Sequence, residues 1–170
     1  MEPKPIAELE EYKAAGKLEN KVALITGGDS GIGRAIAILY AKEGANVAIG
    51  YYDEHQDAED TVNRLQEMGV KAKAYAHDLK DEKQSQKLIK DVINDFGSLN
   101  ILVNNGGVQF PRDHFEDITP QQVKETFMTN IFGMMFLSQS AVPYLSEGDT
   151  IINTTSVTAY RGSGHLIDYS

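Results

Sequence analysis

Short apolar runs rich in β-branched residues alternate along the chain with longer stretches whose apolar residues recur every three to four positions. The first run, 22–26, ends at glycines, and a helical pattern follows over 32–43 with Ile32, Ile36, Leu39 and Tyr40 on one side and Gly44 as its stop. A second strand is predicted at 46–51, an exposed helix at 54–68 closed by Gly69, and an alternating third strand at 70–76. A charged helix at 81–96 turns Leu88, Ile89, Val92, Ile93 and Phe96 inward and ends at Gly97. A fourth strand is predicted at 100–103, a long helix from Pro120 through Gln139 broken near Pro143, and a fifth strand at 149–154.

Strands separated by helices imply right-handed crossovers and a parallel sheet covered on both faces. The fold class is therefore α/β, a doubly wound parallel sheet. The long helix stands apart from the others. Phe127, Met128, Ile131, Phe132, Met134, Met135, Phe136 and Leu137 wrap nearly all round it, and a helix apolar on every side is expected to be buried on every side. One face can meet the sheet. The other needs a second cover, either another subunit or later segments of the same chain. Association into a dimer or tetramer through residues 120–142 is the expectation.

Composition narrows the picture. A chain of 170 residues suits one domain with a real core. A formal net charge of −9 argues against nucleic acid as a partner, although helix N-termini can still hold an anionic cofactor. Cysteine is absent, which excludes disulfides and thiolate metal sites and fits a cytoplasmic location. The four histidines, at 55, 77, 114 and 165, lack metal-ligand spacing. No apolar run reaches the roughly 20 residues that span a bilayer, and the polar, acidic start is not a secretory signal. Residues 1–20 read as an arm, either a partly disordered tail or a segment docked on a neighbouring subunit; residues 21–170 form the domain.

The stretch TGGDSGIG, 26–33, joins the first strand to the first helix. There, glycines permit close approach and main-chain amides at a helix N-terminus offer a seat for a pyrophosphate. The spacing Gly27, Gly31, Gly33 after a strand resembles the short-chain dehydrogenase/reductase family. Four further stretches match in order: HDL at 77–79, NNGG at 104–107 (similar to the family's NNAG), Asn130 in the long helix, and Ser156 with Tyr169. Loop and Tyr51 together resemble glucose-dehydrogenase-like members.

The resemblance implies a Rossmann-type fold with strands 1–5 present and the C-terminal strands missing. It implies hydride transfer between NAD(P) and a carbonyl or alcohol. Tyr169 would be the general acid/base, Ser156 would polarise the substrate oxygen, and Asn130 would hold a water in the proton relay. The cofactor would meet Gly27, Asp29, Ser30, Gly31, Ile32, Gly33, Tyr51, Asp78, Leu79, Asn104, Gly106 and Tyr169. The family's lysine falls four residues after the tyrosine, at 173, beyond the last residue given. The chain is therefore expected to be a fragment, inactive alone.

Plainer readings stand beside these. Asp78 can be a helix cap, Asn104 and Asn105 turn residues, Ser156 a loop hydroxyl and Tyr169 a packing tyrosine. The stretch GYYDEHQ, 50–56, carries no Arg or Lys, and Asp29 sits in the glycine loop, so a 2′-phosphate would meet negative charge; NAD is expected over NADP. A non-catalytic dinucleotide-binding module is the alternative, separated by whether Lys or a residue such as Ala follows at 173. A sugar-nucleotide epimerase relative would carry G-x-x-G-x-x-G in the first turn, which this chain lacks.

Overall fold

Five parallel strands form one sheet in the order β3-β2-β1-β4-β5 in the computed structural model, which describes residues 6–8 and 11–170. They are β1 (Val22–Thr26), β2 (Asn46–Tyr51), β3 (Ala72–Ala76), β4 (Ile101–Asn104) and β5 (Thr150–Asn153). Successive side chains of a strand point to opposite faces. Ile25, Val47, Ile49 and Val103 therefore pack on one side, under α1 (Gly31–Lys42) and α2 (His55–Glu67). Leu24, Ala48 and Leu102 pack on the other, under α3 (Glu82–Phe96). Both layers are apolar, as parallel sheets require. Each fully buried aliphatic side chain contributes about 1.5–3 kcal/mol.

The helix ends follow local chemistry. Asp81 caps α3, its Oδ1 accepting from Lys83 N at 2.8 Å and Gln84 N at 3.3 Å, and Gly97 ends it at φ 84°. Thr119 caps α4 (Pro120–Phe127), where Pro120 sits in the first turn without losing a needed donor. A π turn at Met128–Phe132 then leads into α5 (Gly133–Ala141), which packs beside α3. A short α6 (Thr158–Arg161) follows β5. Among the described residues no helix is long and apolar enough to cross a membrane.

Two expectations are corrected, and the choice left open for the long helix is narrowed. The buried face of α1 is Gly33, Ala37, Ile38 and Ala41, whereas Ile32 is 66% exposed and Leu39 38%. Small residues let this helix approach the sheet closely, so the larger apolar ones lie to the side. On the α4–α5 rod Thr129, Gly133, Leu137 and Ala141 face inward, while Phe127, Ile131, Phe132 and Met135 are exposed, so the later described segments of the chain do not cover its second face. The arm, finally, lies on its own chain. Buried Glu43 requires donors, and the arm supplies the Tyr12 hydroxyl, Ala15 N at 3.2 Å and Lys17 N at 2.8 Å. Glu8 pairs with Lys42 and Arg64, and Ala7 and Leu18 reach the core. Residues 1–5 and 9–10 of the expected arm lie outside the described residues.

Candidate active site

The sheet's C-terminal edge opens into a cavity of about 620 Å³. Its floor is the β1–α1 loop. Ser30 stands at the N-cap of α1 in extended backbone, yet its side chain caps nothing, so among the described residues the first-turn amides have no side-chain acceptor. Ser30, Gly31 and Ile32 all line the cavity. Gly31 adopts φ +54° with open space where a Cβ would stand. Gly33 does the opposite job: a Cβ there would lie 1.9 Å from Gly27 O, so the helix meets the loop backbone only without one. An open, uncapped helix N-terminus suits a diphosphate.

The loop is held from both sides. Thr26 Oγ1 accepts from Asn105 N and Gly106 N, each at 2.9 Å, tying the ends of β1 and β4 together. Asn105 Nδ2 donates to Thr26 O at 3.2 Å. Thr61 Oγ1, buried on α2, donates to Asp29 O at 3.0 Å. Leu79 lies between Gly106 and Gly133: a Cβ would stand 3.0 Å from its Cδ1 at the first and 2.9 Å from its O at the second.

Of the expected cofactor contacts, Gly27, Asp29, Ser30, Gly31, Ile32, Tyr51, Asp78, Leu79, Gly106 and Tyr169 line this one cavity. Gly33 and Asn104 do not. Asn104 is buried, and its Nδ2 donates to Asn153 Oδ1 at 2.8 Å and Ser138 Oγ at 3.0 Å. It joins β4 to β5 and α5, because alternation turns it from the face that Asn105 occupies. The capping reading of Asp78 also gives way, since Asp81 is the cap; Asp78 Oδ1 accepts from Lys80 N at 2.9 Å.

The catalytic candidates divide. Tyr169 lines the cavity, half-buried. Ser156 lies in the turn after β5, where its Oγ accepts from Thr158 Oγ1 at 3.0 Å, and is not among the lining residues. Asn130, in the π turn, spends its amide on one neighbour: Oδ1 accepts from Val108 N at 2.8 Å and Nδ2 donates to Val108 O at 2.7 Å. Val108 itself lines the cavity, and π turns frequently mark functional sites.

Sequence reading missed Lys80. Its ammonium lies 5.8 Å above the Tyr52 ring, 3.7 Å from Asp78 and 3.4 Å from Glu125. Burial works to lower its pKa, but Asp78 and Glu125 together prevail and hold it above the usual lysine value. The stretch at 50–56 therefore does have a cation beside it, delivered through space by the turn after β3. His77, which also lines the cavity, is 6% exposed with neither ring nitrogen partnered among the described residues, and burial lowers its pKa to about 4 despite nearby Asp78. Among the described residues no group of three or more His, Cys, Asp or Glu is arranged to hold a metal.

The sequence model of the short chain dehydrogenase family matches residues 21–170. General stress protein 39 of Bacillus subtilis is 49% identical over 170 residues, covering all of this chain and 59% of that protein. Glucose and ribitol dehydrogenase of Daucus carota is 42% identical over 178 residues, covering all of this chain and 60% of the relative. A crystal structure of a short chain dehydrogenase from Burkholderia cenocepacia in complex with NADP superposes with a TM-score of 0.86 at 34% identity, covering 90% of this chain and 62% of that one. The chain thus spans about three fifths of the length of the curated relatives it matches.

Proposed function

The chain belongs to the short-chain dehydrogenase family, and from that premise we propose that it builds the cofactor seat and acid/base centre of an NAD(P)-dependent oxidoreductase acting on an alcohol or carbonyl. One observation carries the reading: Tyr169 lines the same cavity as the uncapped amides of α1. A bound nicotinamide supplies the hydride acceptor or donor. The chain's own residues orient the substrate and handle its proton. The Tyr169 hydroxyl gives a proton to the nascent alkoxide, or takes one from the alcohol. The Ser156 hydroxyl donates to the substrate oxygen as charge develops there. Asn130 keeps one N–H and one lone pair beyond its two bonds to Val108, enough to hold a relay water.

Cofactor choice follows from charge. Asp29, Glu54, Asp78 and Glu125 line the cavity against one lining cation among the described residues, Lys80, which is already shared by two of them. A 2′-phosphate would add further negative charge to that surface. The proposal is therefore NAD before NADP, with Lys80 the residue that moderates the difference; the NADP in the Burkholderia structure marks the opposite outcome. Sugar alcohols and aldehydes are the substrate class to try first, in view of the carrot relative's name.

Two measurements on the full gene product test this. Aldehydes and sugar alcohols assayed by absorbance at the nicotinamide band should reveal turnover, and Tyr169→Phe should lose about 10²-fold or more. Retained turnover in that variant would remove the tyrosine from the mechanism. NADH should bind more tightly than NADPH, and Lys80→Ala should widen the gap. Tighter NADPH binding would reverse the cofactor proposal.

The exposed stripe on the α4–α5 rod supports association with a second copy. Phe127, Ile131 and Met135 recur every four residues, are 45%, 50% and 61% exposed, and so share one helix face. We place a homo-oligomer contact, dimeric or tetrameric, on that face.

A further inference from the structure

We propose that Asp168 is the positioning residue for Tyr169, its carboxylate anchoring to α4 the segment that carries the tyrosine into the cavity. The inference rests on the reading of Tyr169 as the acid/base. Asp168 Oδ2 accepts from Thr126 Oγ1 at 2.7 Å and from Gln122 Nε2 at 3.2 Å. The two donors stand four residues apart on α4, hence on one face, and are 2% and 6% exposed. Neither is free to turn aside. Gln122 Nε2 also donates to Phe110 O at 3.0 Å, and its Oε1 accepts from Arg112 Nε at 2.7 Å. Both ends of that amide are committed, so the position of its N–H groups is set by the loop after β4.

The segment has few other polar ties, an exposed His165–Asp113 contact at 3.5 Å among them. The hydrogen bonds of Leu166, Tyr169 and Ser170 N stay within the turn, ending on Ser163 O and Leu166 O. Among the described residues its other hydrogen-bonded tie is to Arg112, whose N donates to His165 O at 2.9 Å and whose O faces His165 Nδ1 at 3.3 Å. That tie lies four residues before Tyr169 and is exposed, whereas the Asp168 anchor is adjacent to it and buried on the α4 side. Asp168 Oδ1 is enclosed with no hydrogen-bond partner among the described residues. A buried carboxylate oxygen without a donor costs free energy, so stability alone does not account for an acid here. A fixed geometry beside the reacting hydroxyl does, because displacement of about 1 Å at a reacting group can cost on the order of 10²-fold in rate.

The test uses the full gene product and separates kcat from cofactor binding. Asp168→Ala should lower kcat about tenfold or more, by that misplacement estimate, while the Kd for NADH stays within about twofold. Asp168→Asn, whose amide oxygen can accept both donors, should recover most of the loss. Thr126→Val removes one hydroxyl at nearly constant shape and should lower kcat several-fold, which keeps the claim testable even where the alanine variant folds poorly. A wild-type kcat in both Asp168→Ala and Thr126→Val overturns the proposal. So does an Asp168→Asn variant no better than alanine, since charge rather than anchoring would then be at work. Tyr169→Phe measured alongside tells the failures apart. Activity lost there but kept in Asp168→Ala sinks only the anchor, whereas activity kept in Tyr169→Phe sinks the reading beneath it as well.

Discussion

Asn130 closes a two-point clamp on Val108, accepting from its N–H at 2.8 Å and donating to its C=O at 2.7 Å. The clamp joins the π turn of the long helix to the loop that leaves β4, and Gly107 fits beside it because a Cβ would stand 3.0 Å from Asn130 Oδ1. Replacing Asn130 by Ala leaves both backbone groups of Val108 without their partner. The expected cost is about 1–3 kcal/mol by urea denaturation, with faster amide exchange at 106–109. Exchange at those amides unchanged from wild type would show that the loop holds itself.

Gly31 and Gly33 sit two residues apart and should respond differently to the same substitution. Gly31→Ala meets open space but must hold φ +54°, a strain of about 1–2 kcal/mol. Gly33→Ala drives a methyl into the Gly27 carbonyl, whose O would lie 1.9 Å away, with the Asn105 side-chain amide 2.8 Å off. The loop must break, and both stability and NADH binding should fall well beyond the Gly31 variant. Equal effects of the two substitutions would contradict this account of the loop.

His77 makes stability depend on pH in a defined window. Its folded pKa of about 4 lies below the ordinary 6.5, because burial disfavours the imidazolium. The unfolded chain therefore takes up the proton first as pH falls. Stability is full above about 6.5 and declines towards pH 4, by about 3 kcal/mol at most, on the rule that one pKa unit is worth about 1.4 kcal/mol. Carboxylates held low by partners, such as Asp81 with Gln84 and Asp95 with Lys73, lose their contribution only in more acid solution. Urea midpoints for wild type and His77→Gln between pH 7 and 4.5 check this; parallel curves would rule His77 out.

The face carrying Ile131 and Met135 should govern association. Ile131→Glu with Met135→Glu places two charges on an apolar stripe and should shift the protein to a smaller species in sedimentation. An unchanged sedimentation coefficient would assign the oligomer contact elsewhere.

Much of this was legible in the sequence. The predicted bounds of β1 and β2, 22–26 and 46–51, are those observed, since each is a short apolar run with a glycine close to one end. The tight turn at the glycine loop could be read because glycines mark main-chain geometry directly: Gly27 and Gly31 adopt positive φ, and Gly33 has no room for a Cβ. What could not be read depends on direction and distance. Alternation along β4 sends Asn104 inward and Asn105 to the loop, and a motif does not say which. Lys80 reaches Tyr52 across a crossover, where a window around β2 cannot see it. The α1 face was misread because Ala37 and Ala41 bury well through being small. Asp168 carries no signal of its own; its role appears only when α4 is folded beside it.

A crystal structure of the full gene product with NADH tests the central claim most directly. The account predicts a diphosphate within hydrogen-bonding distance of the first-turn amides of α1, and the Tyr169 and Ser156 hydroxyls facing the nicotinamide ring. A dinucleotide bound elsewhere, or those two hydroxyls directed away from the ring, would contradict it.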